Sequence, residues 1–439
     1  MSSETKSILL FLLSAILLFL GFDRNFLRLV PAKAFADFDK GSESLVIGRL
    51  VWTRQHGFFV DGALLGTGDA PTPFLGDAGR DRQYETYLAD GEFQTYAVYK
   101  SQSGGQAWLF SALDSLSPFS ASTNLRLFRA LTAALFALTL AALILWFHGQ
   151  FGFVPALFVL FTSLISYWLT IYGRNLFYFV WDCFLPMVAA LFLLDSESRR
   201  ASWSGPRFYL TVGLLLFLKG FLSGYDFLLP PMGMVAVALV YYALKDKWGF
   251  WKFTRRLLLT GLACAVGITA SFGLLAAQIG SVTGRFSDGI LHIVNTMGRR
   301  TFGTPLDPSQ SDLYAQGQHA NLLQVISLQL NKTALFAGIS FLRIFIVFAV
   351  ATVIVALILY FRRAKLGDVS AIHALLITAW VSFASPFAWL VIFKAHAYYH
   401  PFTTPIIWHM PTMFFGYAVC GLLLVLPFRN KKESGSSAS

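Results

Sequence analysis

Apolar positions along this chain gather into runs of helical length separated by polar connections. The runs are Ile8 to Phe22, Phe128 to Phe147, Phe151 to Ile171, Leu176 to Leu194, Phe208 to Leu222, Phe227 to Leu244, Leu257 to Ala277, Ala334 to Tyr360, Ala371 to Phe393 and Pro405 to Leu426. Each is near the ~20 residues that carry a helix across ~30 Å of hydrocarbon. The pattern predicts an all-α polytopic membrane protein with about 10 transmembrane helices. Ala32-Lys33-Ala34 and Ala34-Phe35-Ala36 resemble a signal-cleavage site. They lie too far beyond the first run, past Asp23, Arg24 and Arg28, so that run is read as a retained anchor.

The charges give these spans a direction. One set of short loops carries Arg199, Arg200, Arg207, then Lys245, Lys247, Lys252, Arg255, Arg256, then Arg362, Arg363, Lys365, and finally Arg429, Lys431 and Lys432. The opposite short loops carry little beyond Arg174 and Lys394. This positive-inside bias predicts that both termini are cytoplasmic. The whole chain, 1–439, reads as one integral membrane domain, with two long polar segments, 23–126 and 281–333, on the outer side. The tail at 430–439 reads as disordered. No repeat of 20–50 residues is evident.

Composition narrows the class further. Hydrophobic residues make up 56% and charged residues 13%, against about 45–50% and 25% in soluble domains, so a soluble fold could not cover its own surface. Low charge also excludes a disordered chain, and 3 Cys exclude a disulfide scaffold. The net charge of +11 would suggest nucleic acid in a soluble protein; here it sits in short loops and reads as topology, with no nucleic-acid partner expected. Cys183, Cys264 and Cys420 lie in apolar stretches and read as packing residues.

Ionisable residues near the outer ends of the spans are the candidates for chemistry, because charge at a membrane boundary is costly and usually faces a cavity. The first polar segment opens with Asp37-Phe38-Asp39-Lys40-Gly41-Ser42-Glu43-Ser44. Apolar positions 46, 47, 50 and 51 then predict an amphipathic helix on the membrane surface, with Glu43 near its start and Ser42 as a possible cap. Tyr99 to Gln106, rich in Gly and amides, reads as a turn or a backbone close to a ligand. Arg174 follows the third run, Asp182 lies within the fourth, and Lys219, Tyr225 and Asp226 surround the outer end of the fifth. Arg299 and Arg300 are adjacent in the second long segment, and Lys394, His396 and His400 lie in the last outer loop. A four-residue spacing puts the two histidines on one helix face, as in a metal pair. With no Glu between them and Pro401 following, hydrogen bonding to a sugar or phosphate is the favoured reading and no metal or other cofactor is predicted.

The anchor, the large outer segment opening on acids, the Arg-rich start of the second span and Gly173-Arg174-Asn175 together resemble the GT-C class of integral membrane glycosyltransferases, among them protein mannosyltransferases and lipid A aminoarabinose transferases. The local likeness is strongest over Asn124 to Leu194. Many bacterial members carry an acidic pair at a set distance before a Gly that closes the amphipathic helix. Counting back from Gly57 reaches Glu43, with Ser44 in place of a second acid. The resemblance implies a bacterial inner-membrane enzyme of cell-envelope or polysaccharide synthesis, with its site facing the periplasm. It would transfer a sugar from a polyprenyl-phosphate carrier to a glycan, glycolipid or protein acceptor, among membrane lipids. Glu43 or Asp39 would be the general base. Arg174, Lys219, Arg299, Arg300 and Lys394 would bind phosphate, with His396, His400 and Tyr225 around the substrate. A transporter or flippase of a lipid-linked sugar, and a glycan polymerase or ligase, are the rival readings. Against transport stand the concentration of polar mass on one face and the lack of an inverted hydropathy repeat.

Overall fold

The computed structural model describes residues 3–72, 76–200, 205–302 and 319–429. The predicted tail, 430–439, lies outside them, as does part of the second long polar segment. Helices dominate, as expected where lipid offers no partner to backbone N–H and C=O groups and each segment must satisfy its own. Among the described residues six helices are long and apolar enough to cross a membrane. These are α1 (Ser3–Arg24), α5 (Ala121–Phe151), α9 (Gly205–Ser223), α11 (Phe250–Thr283), α14 (Phe341–Leu366) and the nearly continuous pair α15 (Ser370–Val381) and α16 (Ala384–Ile392). Between them run α6 (Phe153–Leu164), α7 (Tyr167–Tyr172), α8 (Val180–Arg200), α10 (Leu229–Lys245) and α18 (Thr412–Leu423).

Several predicted runs prove to be broken. The third divides at Ser166, whose hydroxyl caps α7 by accepting the Leu169 N–H and also bonds His409 at 2.9 Å. The last begins as a 3-10 turn, Thr404–His409, before α18. Cys183, Cys264 and Cys420 are free and buried, as packing residues should be.

The first polar segment folds into a cap on one end of the bundle. It contains α2 (Ala32–His56), α3 (Asp77–Leu88), α4 (Gly105–Leu116) and a pair of antiparallel strands, β1 (Leu65–Gly68) and β2 (Tyr96–Tyr99). These two short strands leave the described residues almost wholly helical, in keeping with the all-α expectation. One correction concerns α2. It starts at Ala32, so Glu43 lies mid-helix, and the Ser42 hydroxyl donates to the Phe38 carbonyl one turn back instead of capping. Nor does α2 lie on the surface: residues along most of its length are buried, against α3, α4 and β1. Gly48 permits this approach, since a Cβ there would stand 2.4 Å from the Gly66 carbonyl. The predicted closure at Gly57 is present, with φ at 89°.

The later polar segments complete the same end. They form α12 (Phe286–Phe302), α13 (Leu322–Leu330) and the short α17 (Lys394–Tyr399).

Candidate functional site

Asp39 and Glu43 stand one turn apart on the same face of α2, and both are buried. Glu43 is fully engaged. Its Oε2 accepts from Arg129 Nη2 at 2.5 Å, from Arg129 Nε at 3.1 Å and from the Tyr84 hydroxyl at 2.9 Å. Its Oε1 accepts the Leu176 N–H at 3.0 Å. Asp39 is held more loosely. Oδ2 lies 3.0 Å from Arg174 Nη2 and 3.8 Å from Arg129 Nη2, and Oδ1 accepts from Asn175 at 3.4 Å. Arg174 in turn donates to the Asp23 carbonyl at 3.0 Å and lies over the Phe35 ring, so it ties α1 to α2.

This face of α2 borders a cavity of about 660 Å³ lined by Asp39, Lys40, Tyr84, Arg129 and Arg174, together with Arg24 and residues of α3. Burial pushes the Asp39 carboxyl up, and the Glu43 charge adds to that. The pull of Arg129 and Arg174 is weaker, and the value reaches about 7. Such a carboxyl can exchange its proton near neutral pH.

The opposite face of α2 borders a larger cavity of about 730 Å³. Asp37, Phe38, Gly41, Ser42 and Leu45 line it from α2, Arg299 and Arg300 from α12, and His396, Tyr399 and His400 from the last outer loop. Tyr99, Trp168, Tyr178 and Phe227 add aromatic walls. Asp226 also faces this space, paired with Arg300 and accepting from Gln102 at 3.3 Å. Burial lowers both histidines, His400 to about 4, so their imidazoles stay neutral near pH 7 and can both donate and accept hydrogen bonds. Their rings lie 4.5 Å apart. Among the described residues no group of three or more His, Cys, Asp or Glu gathers as a metal site would require.

The predicted residues are thus sorted by α2 into two sets. Asp39 and Arg174 meet on one side; Arg299, Arg300, His396 and His400 meet on the other. Glu43 packs behind Asp39. Lys219 lines neither cavity: it is buried and donates to the carbonyls of Gly224, at 2.6 Å, and Asp226, closing the turn after α9. Tyr225 lies beneath the Arg300 guanidinium, 4.6 Å from it, and so supports the larger cavity from behind. Lys394 begins α17 and is absent from both linings.

Three partners escaped the sequence reading as site residues: Arg129, Tyr84 and Asn175. Arg129 carried a usable signal, a cation inside the run that starts at Phe128. Tyr84, on α3, carried none, because nothing local links it to Glu43 across 41 residues.

Fold and site together define a polytopic helical membrane protein with two polar cavities at one end, separated by the helix that carries Asp39 and Glu43. In comparisons with family models, curated proteins and solved structures, nothing matches this chain.

Proposed function

We propose that the protein is a membrane glycosyltransferase that moves a sugar from a polyprenyl-phosphate carrier to a glycan, glycolipid or protein acceptor. The capped end faces the periplasm of a bacterial inner membrane, ten helical segments cross the bilayer, and both termini are cytoplasmic. The observation that carries this reading is Asp39: a buried carboxyl at the wall of a cavity, between two guanidinium groups, with a pKa near 7.

In the reaction the acceptor oxygen forms a bond to the anomeric carbon and gives its proton to Asp39. The bond from that carbon to the phosphate oxygen breaks, and the electron pair leaves with the phosphate. Charge builds on the departing phosphate as the bond lengthens, so cations help most in the transition state. Arg174 and Arg129 supply them. Glu43 does not serve as base, because it lines neither cavity; through four hydrogen bonds it holds Arg129, Tyr84 and the backbone of Leu176 in place. Across α2, the aromatic and imidazole groups of the larger cavity would also suit a sugar, whose apolar faces stack on rings while its hydroxyls need donors and acceptors, and they support transfer on that side instead.

A second reading is favoured by the four predicted binding residues that meet in the larger cavity. It puts transfer there, with Asp37 as the proton acceptor, exposed on the same helix. Purified protein in liposomes, given radiolabelled lipid-linked sugars, separates the two. Asp39→Asn should cut covalent transfer by about 10²–10⁴-fold and Asp37→Asn should leave it near normal; the reverse outcome installs the second reading. Movement of the lipid-linked sugar across the bilayer without any covalent product would replace both with transport.

A further inference from the structure

A third cavity lies at the other end of the bundle. Gln278, near the end of α11, donates to the carbonyls of Gly62 and Ser103 in the cap, at 2.9 and 3.0 Å. The start of the same helix is about 40–50 Å away, at ~1.5 Å per residue. There Trp248, Trp251, Lys252, Arg255 and Arg256 line a cavity of about 780 Å³, with Glu197 of α8 opposite.

Three basic groups line this cavity against two carboxylates, Glu197 and Asp246, and three features of it point to an anion. Lys252, Arg255 and Arg256 crowd the first two turns of α11, where the aligned peptide dipoles already concentrate positive charge. Gly249, the capping residue, offers no side chain to the free N–H groups of the first turn. Arg256 is buried, at 4% exposure. Its Nη2 pairs with Glu197 at 2.6 Å and its Cζ lies 4.4 Å from the centre of the Trp248 ring, yet Nε and Nη1 have no hydrogen-bond partner among the described residues. Unfilled donors on a buried guanidinium are costly. An anion in the cavity would offset all three.

The surroundings suggest what carries the anion. Phe250, Trp251, Leu258 and Leu262 are 71%, 79%, 68% and 60% exposed, and they extend from the cavity mouth along α11. A headgroup at Arg256 would leave its acyl chains against that apolar surface, while Trp251 sits at the interface, where indoles are favoured. We infer that this cavity binds a phosphate ester, the headgroup of an anionic membrane lipid.

The test uses the full-length protein in a neutral maltoside detergent, titrated with phosphatidylglycerol, with phosphatidylcholine and with inorganic phosphate. Tryptophan fluorescence is the readout, since Trp248 and Trp251 line the cavity. A saturable change with phosphatidylglycerol, and none with phosphatidylcholine, is expected. Lys252 and Arg255 are exposed, and their joint change to Gln should weaken binding about thirtyfold, from the typical worth of two basic residues at an anionic lipid. Arg256→Gln should weaken it as well. Its pairing with Glu197 makes the double variant the control for folding, checked by an unchanged melting temperature. Saturation by inorganic phosphate alone would keep the phosphate site and assign it to a soluble phosphate ester. Equal responses to the two lipids, or undiminished phosphatidylglycerol binding by the folded double variant, would overturn the inference.

Discussion

Replacing Glu43 with Gln tests whether the buried acidic pair of α2 is divided into an anchor and a reactive group. All four hydrogen-bonding neighbours of Glu43 are donors: two nitrogens of Arg129, the Tyr84 hydroxyl and the Leu176 N–H. A glutamine turns one acceptor oxygen into an NH2 group, so one side must face donor against donor. It also removes the charge that balances Arg129. Breaking a buried ion pair from one side costs about 3–5 kcal/mol. Arg129 keeps 20% exposure and has Asp39 at 3.8 Å, so the lower end, about 3 kcal/mol, is expected. In detergent this should lower the melting temperature by several degrees. A second effect follows, because the Glu43 charge is among the causes holding the Asp39 carboxyl up. With it gone and Arg129 freed, the Asp39 midpoint should move below its value of about 7, and the rising limb of the transfer pH profile should move to acid with it. A Glu43→Gln protein that melts within a degree of wild type and keeps the same midpoint would refute the division of roles.

Further expectations concern neighbouring residues. Asp39→Asn should reduce transfer by about 10²–10⁴-fold, the usual worth of a general base, while melting within a few degrees of wild type. The Asp39 pKa is raised on folding, so the folded state holds its proton more tightly; wild-type stability should fall as pH rises from about 4 to about 7, and Asp39→Asn should flatten that slope in melting curves. Lys219→Met should destabilise by about 1–3 kcal/mol for each carbonyl left unpaired at Gly224 and Asp226, measured by thermal unfolding. Gly48→Ala drives a methyl into the Gly66 carbonyl and should cost about 1–3 kcal/mol, whereas Gly273→Ala on α11, with nothing within 4 Å, should be neutral or mildly stabilising.

The architecture gives these residues their setting. Ion pairs between α2 and α5, and between α2 and the connection before α8, fix a polar helix against the end of an apolar bundle. The same helix then presents a different side chain set to each cavity. A carboxyl can be kept near its neutral form only where water is scarce, and the cap supplies that by covering Asp39 with α3 and the α7–α8 connection.

By itself the sequence determined the membrane class, the helical content and most of the apolar segments, because lipid imposes length and composition on any helix that crosses it. It also flagged Asp39, Arg174, Arg299, Arg300, His396 and His400, since charge near a membrane boundary is conspicuous against an apolar background. It could not say which of them share a space. Arg129 reaches Glu43 across 86 residues of chain and Arg174 reaches Asp39 across 135, and no local pattern encodes such pairings. Nor could a charge pattern separate Lys219, spent on two backbone carbonyls, from Arg300, which lines a cavity. Asp37 and Asp39, which the sequence reading left ahead of the helix, lie on different sides of α2, and only the packing of α3, α5 and α12 around that helix made those sides into two separate cavities.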